Sequence, residues 1–414
     1  MKIAQINAVC DVGSTGRICR ELNDAIIQYG HQGLVLYGNG KSEYEFAYKV
    51  STAFGVKNHS LMARIFGKNA AYSPWATKEL LKNLRSYKPD VVHLHNLHGN
   101  YVNLNPLLRY LAKEDIPTVL TLHDCWFFTG KCTYYTIVDC DHWQSGCGNC
   151  PKLRGDIPSW FFDRTAEMWQ EKKALFEAIP RLAVIGVSDW ITNEAKKSFL
   201  ADAKILRRIY NWIDLDVFYP RGKEVGKQFG ISEDKFSILC IGAGWSENSY
   251  KTKDLLTLAR KLPENYEIIL AGTVPFADKL PDNIKVVGYV SSTEDLAKLY
   301  SACDVYVHLS KEDTFGKVIA EAISCGTPAV VYDSSACPEI LGKGCGYVVP
   351  AGDVEAVWEA VQKIVEQPKS EYEHFCTEHA TANFAKEKLI KDTLEIYVHL
   401  IEKKKESHEI SGLL

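Results

Sequence analysis

Residues 305–332 read VYVHLSKEDTFGKVIAEAISCGTPAVVY. Val305–Leu309 is a short run of β-branched, aromatic and aliphatic residues, the composition of a buried strand. Ser310–Phe315 breaks that pattern as a loop. From Gly316 to Cys325 the apolar residues Val318, Ile319, Ala322 and Ile323 recur at helical spacing, and Gly326 with Pro328 behind it are stop signals. Ala329–Tyr332 resumes a strand. The stretch is one strand–helix–strand unit, the building block of parallel sheets. Its helix opens at the carboxyl end of a strand, where such folds bind ligands. Gly316 leaves the backbone uncovered there, so free N–H groups and the positive dipole end can receive an anion. Lys317 adds a cation. Glu321, about one turn further in, can accept two hydrogen bonds from the vicinal hydroxyls of a ribose. Phosphate at the amides of Phe315–Val318 and sugar at the glutamate is the chemistry of a nucleotide site. A surface glutamate and a glycine kept only for space leave the same short pattern.

The alternation extends outward in both directions. Strand-like runs stand at Ile3–Ala8, Gly33–Tyr37, Val91–Leu94, Thr118–Leu122 and Leu182–Val187. A second series follows at Ser237–Ile241, Glu267–Ala271, Ile284–Val287, Val305–Leu309 and Ala329–Tyr332. Amphipathic segments such as Arg17–Tyr29 and Lys253–Lys261 lie between them, which predicts α/β architecture with parallel sheets. A chain of 414 residues exceeds one ordinary core, so two domains are expected, linked near Asp216–Lys223. Phe384–Lys405 has helical apolar spacing, and the tail KKKESHEISGLL is expected to fray. A net charge of −4 gives no general attraction to nucleic acid. No apolar run is long enough to span a bilayer, and MKIAQINAV reads as a first strand, not a cleavable signal. A cytoplasmic chain is expected. Of its 13 cysteines, Cys10, Cys240 and Cys303 stand singly among apolar residues and read as small buried hydrophobes.

Taken together, these pieces resemble retaining glycosyltransferase family 4. The family's E-x7-E pair appears as Asp313-x7-Glu321, followed by E-A-x-x-C-G-T-P. DVGSTGR (Asp11–Arg17) resembles the glycine-rich loop after the first strand. KPDVVHLHN (Lys88–Asn96) and TVLTLHD (Thr118–Asp124) resemble the family's two histidine-bearing strand ends. GVSDW (Gly186–Trp190), NWIDLDVFYP (Asn211–Pro220) and VVGYVSSTEDLAKLYSACDVYV (Val286–Val307) follow in family order. The likeness covers nearly the full chain and is closest to capsular and colanic-acid-type exopolysaccharide enzymes.

What the resemblance implies is a GT-B fold, two Rossmann-like parallel-sheet domains facing across a cleft. Residues 1–216 would bind the acceptor, 217–380 the nucleotide sugar, and 381–414 would form a helix crossing back to the first domain. The enzyme would be a hexosyltransferase-type glycosyltransferase. It would move a sugar with retention from a UDP or GDP donor to a saccharide, lipid-linked in surface polysaccharide assembly, without a catalytic metal. The leaving phosphate would deprotonate the acceptor. By the same resemblance Asp313 would hold the transferred sugar and His123 would orient sugar or acceptor. Tyr289 and Val290 would meet the base, and the loop Gly13-Ser14-Thr15-Gly16 would close on the diphosphate. Apart from the resemblance, Lys317 with Lys251, or Lys253 in its place, is expected to share the phosphate charge that the family's arginine meets.

The chain departs from the family in three places. Asp313 is one methylene shorter than glutamate, with Glu312 beside it as an alternative acid. GAGWSENSYKTKD (242–254) lacks the usual arginine, and no glycine follows either lysine. Trp212 stands where the family often has glycine and reads as packing. These departures leave room for a non-catalytic scaffold of the same fold; an epimerase or phosphorylase is the other enzyme alternative. His93, His95 and His98 read as a solvated strand end or an acceptor surface.

Two features stand apart from the resemblance. CTYYTIVDCDHWQSGCGNC, within a cysteine-rich loop at 125–153, carries Cys132, Cys140, Cys147 and Cys150. Its Cys-x2-Cys ending with Gly148 inside is a metal-knuckle pattern, so a structural Zn2+ is expected. Two disulfides or free thiols are the alternatives; His142 can replace one cysteine, and Cys125 reads as packing. Ser51–Lys88 holds seven Lys or Arg against one acid, Glu79, interleaved with Phe54, Leu61, Met62, Ile65, Phe66 and Trp75. That pattern fits peripheral contact with the inner face of the plasma membrane, or an ordinary solvated helix face.

Overall fold

The structure, a computed structural model, describes residues 1–411, with side chains through Glu402. The tail expected to fray, 403–414, lies outside the residues whose side chains are described. The chain divides into two compact units. One is Met1–Ile209 together with the chain from Ile390 on; the other is Tyr210–Leu389.

The first unit holds β1 (Lys2–Val9), β2 (Gln32–Asn39), β3 (Ala47–Lys49), β4 (Val91–Leu94), β5 (Thr118–Leu122), β6 (Leu182–Gly186) and β7 (Ile205–Arg208). They pair in the order β3-β2-β1-β4-β5-β6-β7, every pair parallel. β4, β5 and β6 are buried along their whole length, which is why they read as continuous apolar runs and not as alternating ones. The second unit holds β8 (Phe236–Gly244), β9 (Tyr266–Thr273), β10 (Ile284–Gly288), β11 (Val305–His308), β12 (Ala329–Tyr332) and β13 (Gly346–Val349). Their order is β10-β9-β8-β11-β12-β13, again parallel throughout.

Strand order reverses once in each sheet, between β1 and β4 and between β8 and β11. In doubly wound sheets that reversal opens a crevice at the carboxyl ends of the two strands. The loop after β11 carries Asp313 and leads to Gly316.

The segment DVGSTGR is less of a loop than expected. Residues 13–16 form the first turn of the helix Gly13–Gln28, because the chain reverses earlier, at Asp11 (φ 67°). The Asp11 carboxylate holds Arg20 at 2.6 Å, and the Asp11 amide donates to the Gly16 carbonyl at 3.1 Å.

The units meet in sequence at Ile209/Tyr210, some residues before the polar stretch Asp216–Lys223. Tyr210 already packs inside the second unit, 5.7 Å from both the Phe315 and Phe384 rings, and Ile213 pairs with Ala385. The helix Lys386–Ser411 leaves the second unit at Leu389. Beyond it, Asp392 and Glu395 meet Arg207, and the buried Tyr397 hydroxyl lies 2.6 Å from His93 Nδ1.

Candidate active site

In the second unit β11 ends on the buried His308. Both its ring nitrogens are engaged: Nδ1 with the Tyr306 hydroxyl at 2.7 Å and Nε2 with Asp313 Oδ2 at 2.8 Å. The backbone holds Asp313 as well. Its N–H donates to Ser335 Oγ at 2.9 Å and its carbonyl accepts from Ala336 N–H at 3.1 Å. Burial would push the Asp313 carboxyl up. The hydrogen bond and charge of His308, with Lys251 nearby, outweigh that and hold it below the usual carboxylate range. Asp313 is therefore ionised at neutral pH and fixed in place despite its short side chain.

Three residues on, Gly316 opens the helix Lys317–Ser324 with φ of 72°, and a β-carbon there would lie 2.8 Å from Ile319 Cδ1. Only glycine takes that conformation without strain. Many other helices begin under a side-chain cap. Ser188, Ser249 and Ser292 each accept an amide from the first turn of the helix they precede. The Lys317 helix has no such cap. Its ladder starts with the Ile319 amide donating to the Gly316 carbonyl at 2.8 Å, so the Lys317 and Val318 amides precede it. Both residues are half-buried. The Phe315 ring is buried against Tyr210 and Phe384, which leaves its main chain as the part that can serve a ligand. Glu321, 6% exposed, accepts from the Tyr300 hydroxyl at 3.2 Å.

The sequence leaves Lys251 and Lys253 as alternatives. They lie two apart on the helix Tyr250–Ala259 and so point to different sides. Lys251 is half-buried and acts on Asp313, whereas Lys253 is exposed. Tyr289 and Val290 follow the edge strand β10, the Tyr289 ring 65% exposed at its carboxyl end.

In the first unit His123 follows β5. The histidines before it are not a solvated strand end: His93 and His95 are each 1% exposed. They are buried because β4 lies in the middle of the sheet, so they form no acceptor surface. Gln5 fixes the proton positions. Its Nε2 donates to the Cys19 carbonyl at 2.9 Å, which turns Oε1 toward His95 Nε2 at 3.1 Å. His95 Nε2 therefore carries the proton, and His95 Nδ1 accepts from His123 Nε2 at 3.0 Å. His123 is left with an unprotonated Nδ1, and burial lowers its imidazole to about 4. It is a neutral hydrogen-bond acceptor at pH 7 and a weak base. Next to it His98 Nε2 meets Asp124 Oδ2 at 2.8 Å, and Asp124 Oδ1 accepts from the Trp126 amide at 2.9 Å.

Sequence reasoning missed His308, Tyr300 and Ser335. His308 carried a usable signal, since it ends a buried strand at a ligand-binding position just as His123 follows one. Ser335 and Tyr300 carried none, because their roles depend on which loop packs behind Asp313 and Glu321.

On the surface of the same unit, the helix Ala53–Phe66 turns Phe54, Lys57, Leu61 and Arg64 outward. Trp160 sits beside it, its amide donating to the Arg64 carbonyl at 2.7 Å and its ring 5.9 Å from the guanidinium. Phe161 and Phe162 continue this exposed aromatic run. Lys68 is not part of a free basic face, because Glu167 holds it at 2.5 Å.

Two doubly wound parallel sheets, each with its own switch point, define the GT-B class of fold. Residues 15–217 match the family described as Glycosyltransferase Family 4, and residues 223–382 match Glycosyl transferases group 1. The chain belongs to the family 4 glycosyltransferases and is an enzyme of the hexosyltransferase type. It is 25% identical over 374 residues to the Escherichia coli (strain K12) protein named as a colanic acid biosynthesis glycosyl transferase, WcaC, covering 86% of this chain and 88% of that protein. Among solved structures, sucrose-phosphate synthase from Thermosynechococcus elongatus superposes with a TM-score of 0.70 at 17% identity, covering 97% of this chain and 99% of that one. Anabaena Alr3699/HepE in complex with UDP and glucose gives 0.63 at 17% identity, covering 95% and 98%.

Proposed function

We propose that this enzyme transfers a hexosyl group, with retention, from a nucleoside-diphosphate sugar to a saccharide acceptor during surface polysaccharide assembly. One observation carries the reading: an uncapped helix start at Gly316 stands between two positioned acids, Asp313 held by His308 and Glu321 met by Tyr300. The pyrophosphate lies on the Lys317 and Val318 amides, the ribose on Glu321, and a hydroxyl of the transferred sugar on Asp313. The name of WcaC and the UDP and glucose bound to the Anabaena protein support the broader reading of a sugar-nucleotide-dependent enzyme of polysaccharide assembly.

In the reaction the bond from the anomeric carbon to the diphosphate oxygen breaks, and the bond to the acceptor oxygen forms on the same face. The acceptor's proton passes to the departing phosphate. Charge gathers on the diphosphate as it leaves, and the preformed amides, Lys317 and Lys251 stabilise it there more than in the ground state. In the first unit the neutral His123 orients a hydroxyl of the acceptor.

No helix among the described residues is long and apolar enough to cross a membrane. A lipid-linked acceptor would be met by peripheral contact with the inner face of the plasma membrane. The aromatic run Trp160–Phe162 with Phe54, Leu61 and the cations Lys57 and Arg64 forms the peripheral contact, since aromatic rings favour the headgroup level and each cation near anionic lipid contributes about 1 kcal/mol.

Incubation of the purified chain with a panel of UDP- and GDP-sugars tests the reading. Donor-dependent release of one nucleoside diphosphate, with a product of the donor's anomeric configuration by NMR, is expected. No release from any donor, together with no thermal shift from UDP or GDP, would overturn it.

A further inference from the structure

The region from Cys125 to Arg164 contains no strand and, among the described residues, only two single-turn helices, Thr136–Val138 and His142–Gln144. It nonetheless buries Trp126, Phe127, Phe128 and Trp143. Cys132, Cys140, Cys147 and Cys150 line one cavity of about 20 Å3, with His142 and Trp143. That is room for one water-sized body and no more.

One knuckle sulfur already receives a main-chain donor. The Gly130 amide donates to Cys147 Sγ at 3.1 Å. Gly148, inside the knuckle, has φ of 143°, open only to glycine, and Asn149 follows in the left-handed region at 48°. His142 Nδ1 lies 2.9 Å from the Gly148 carbonyl and braces the turn.

Two buried ammonium groups flank the cluster. Lys172 Nζ donates to the carbonyls of Trp126, Thr129 and Gly130 at 2.6, 3.0 and 3.2 Å; Lys131 Nζ donates to those of Leu153 and Ile157. Carbonyls satisfy their hydrogen bonds, and Asp124, Asp156 and Asp163 supply nearby negative charge. Four thiolates around one divalent zinc carry two negative charges, which adds to that complement.

We infer that Cys132, Cys140, Cys147 and Cys150 bind one structural Zn2+ that holds this loop in shape. The four side chains line the cavity at wider spacing than a closed tetrahedral site, so binding requires the sulfurs to move in toward the ion. His308, Asp313 and Cys337 are, among the described residues, the potential ligands whose donor atoms lie within 4.8 Å of one another. That set is no rival. Both His308 nitrogens are already engaged, one of them by Asp313.

Metal analysis of the full chain, purified from zinc-supplemented culture without chelator, tests the inference. About one zinc per chain is expected, with a cobalt-substituted form showing the thiolate-to-metal bands of a tetrahedral all-sulfur site. Cys147→Ser and Cys150→Ser should lose most of the metal, and His142→Ala should keep it. Chelation should lower the thermal midpoint of the wild-type chain by several degrees. Absence of zinc in the wild type overturns the site, whether thiol titration finds the four cysteines free or paired as disulfides. Loss of zinc in His142→Ala with retention in Cys140→Ser overturns the four-thiolate assignment.

Discussion

The two switch points are built alike and finished in opposite materials. After β4 and β5 the buried imidazoles are neutral and engage one another: Gln5 orients His95, His95 orients His123, and burial keeps both rings uncharged, while the Asp124 carboxylate beside them is taken up by His98 and the Trp126 amide. After β11 the groups are charged or bare: the Asp313 carboxylate against His308, the nearby Lys251, and helix amides under no side-chain cap. On the proposed reading the first arrangement recognises hydroxyls by direction, and the second stabilises a departing anion by charge and dipole. One topology thus carries two electrostatic designs, and the difference lies in the residues at the strand ends, not in the sheets.

The largest effect should come from closing the bare helix start. Gly316→Val places a β-carbon into Ile319 and forces a strained φ, so turnover should fall by about 100-fold or more, as when a single preorganised donor is lost. The UDP- or GDP-induced thermal shift should disappear with it. Near wild-type nucleotide binding in this variant would mean that the amides are not the anion site.

Next comes the support of the acid. His308→Ala frees Asp313 to move, and a displacement near 1 Å is enough to cost about 100-fold in kcat. The acceptor KM should stay within twofold, and His308→Gln should restore part of the rate by offering one hydrogen-bond donor. An unchanged kcat in His308→Ala would return the role of working acid to Glu312.

How far the sequence was legible follows from burial. The ten strand-like runs it offers correspond to β1, β2, β4, β5, β6 and β8–β12; all but β10 lie inside a sheet, and the edge strand β10 shows through Ile284, Val286 and Val287. It offers nothing at β3, β7 or β13. All three are edge strands of three or four residues. Ala47–Lys49 and Ile205–Arg208 end in charge, and β13 begins at Gly346 in a conformation open to glycine. An edge strand needs no continuous apolar run, so it leaves no periodic signal. The site divides similarly. Asp313, Gly316 and Glu321 are close in sequence and could be placed on one helix start. The partnership of His95 with Gln5 spans ninety residues and is set by strand order alone. His93 and His95 looked solvated because a strand end is usually wet; here β4 is central and covered.

The contrast between the units also predicts different acid sensitivity. Burial lowers His59 and His123 to about 4 and His93 to about 3, from an ordinary value of 6.5. Between 6.5 and those values the unfolded chain binds protons that the folded chain refuses, so stability is full above pH 6.5 and falls as pH drops toward 4. Hydrogen exchange should show β4 and β5 losing protection in that window before β11 and β12. Equal loss in both sheets would contradict the assignment of neutral, buried imidazoles.

The smallest effects should separate the two lysines. Lys251→Ala should raise the donor KM by about tenfold, the scale of one charge-assisted contact, while the exposed Lys253→Ala should remain within about twofold, as for surface charges generally. Equal effects would mean that the charge acts at long range and not through a contact.

The most direct measurement is a crystal structure of the chain with a bound nucleoside-diphosphate sugar. The diphosphate oxygens should lie within hydrogen-bond distance of the Lys317 and Val318 amides, with both ribose hydroxyls on Glu321. A well-ordered nucleotide bound elsewhere, with that helix start still bare, would contradict the account.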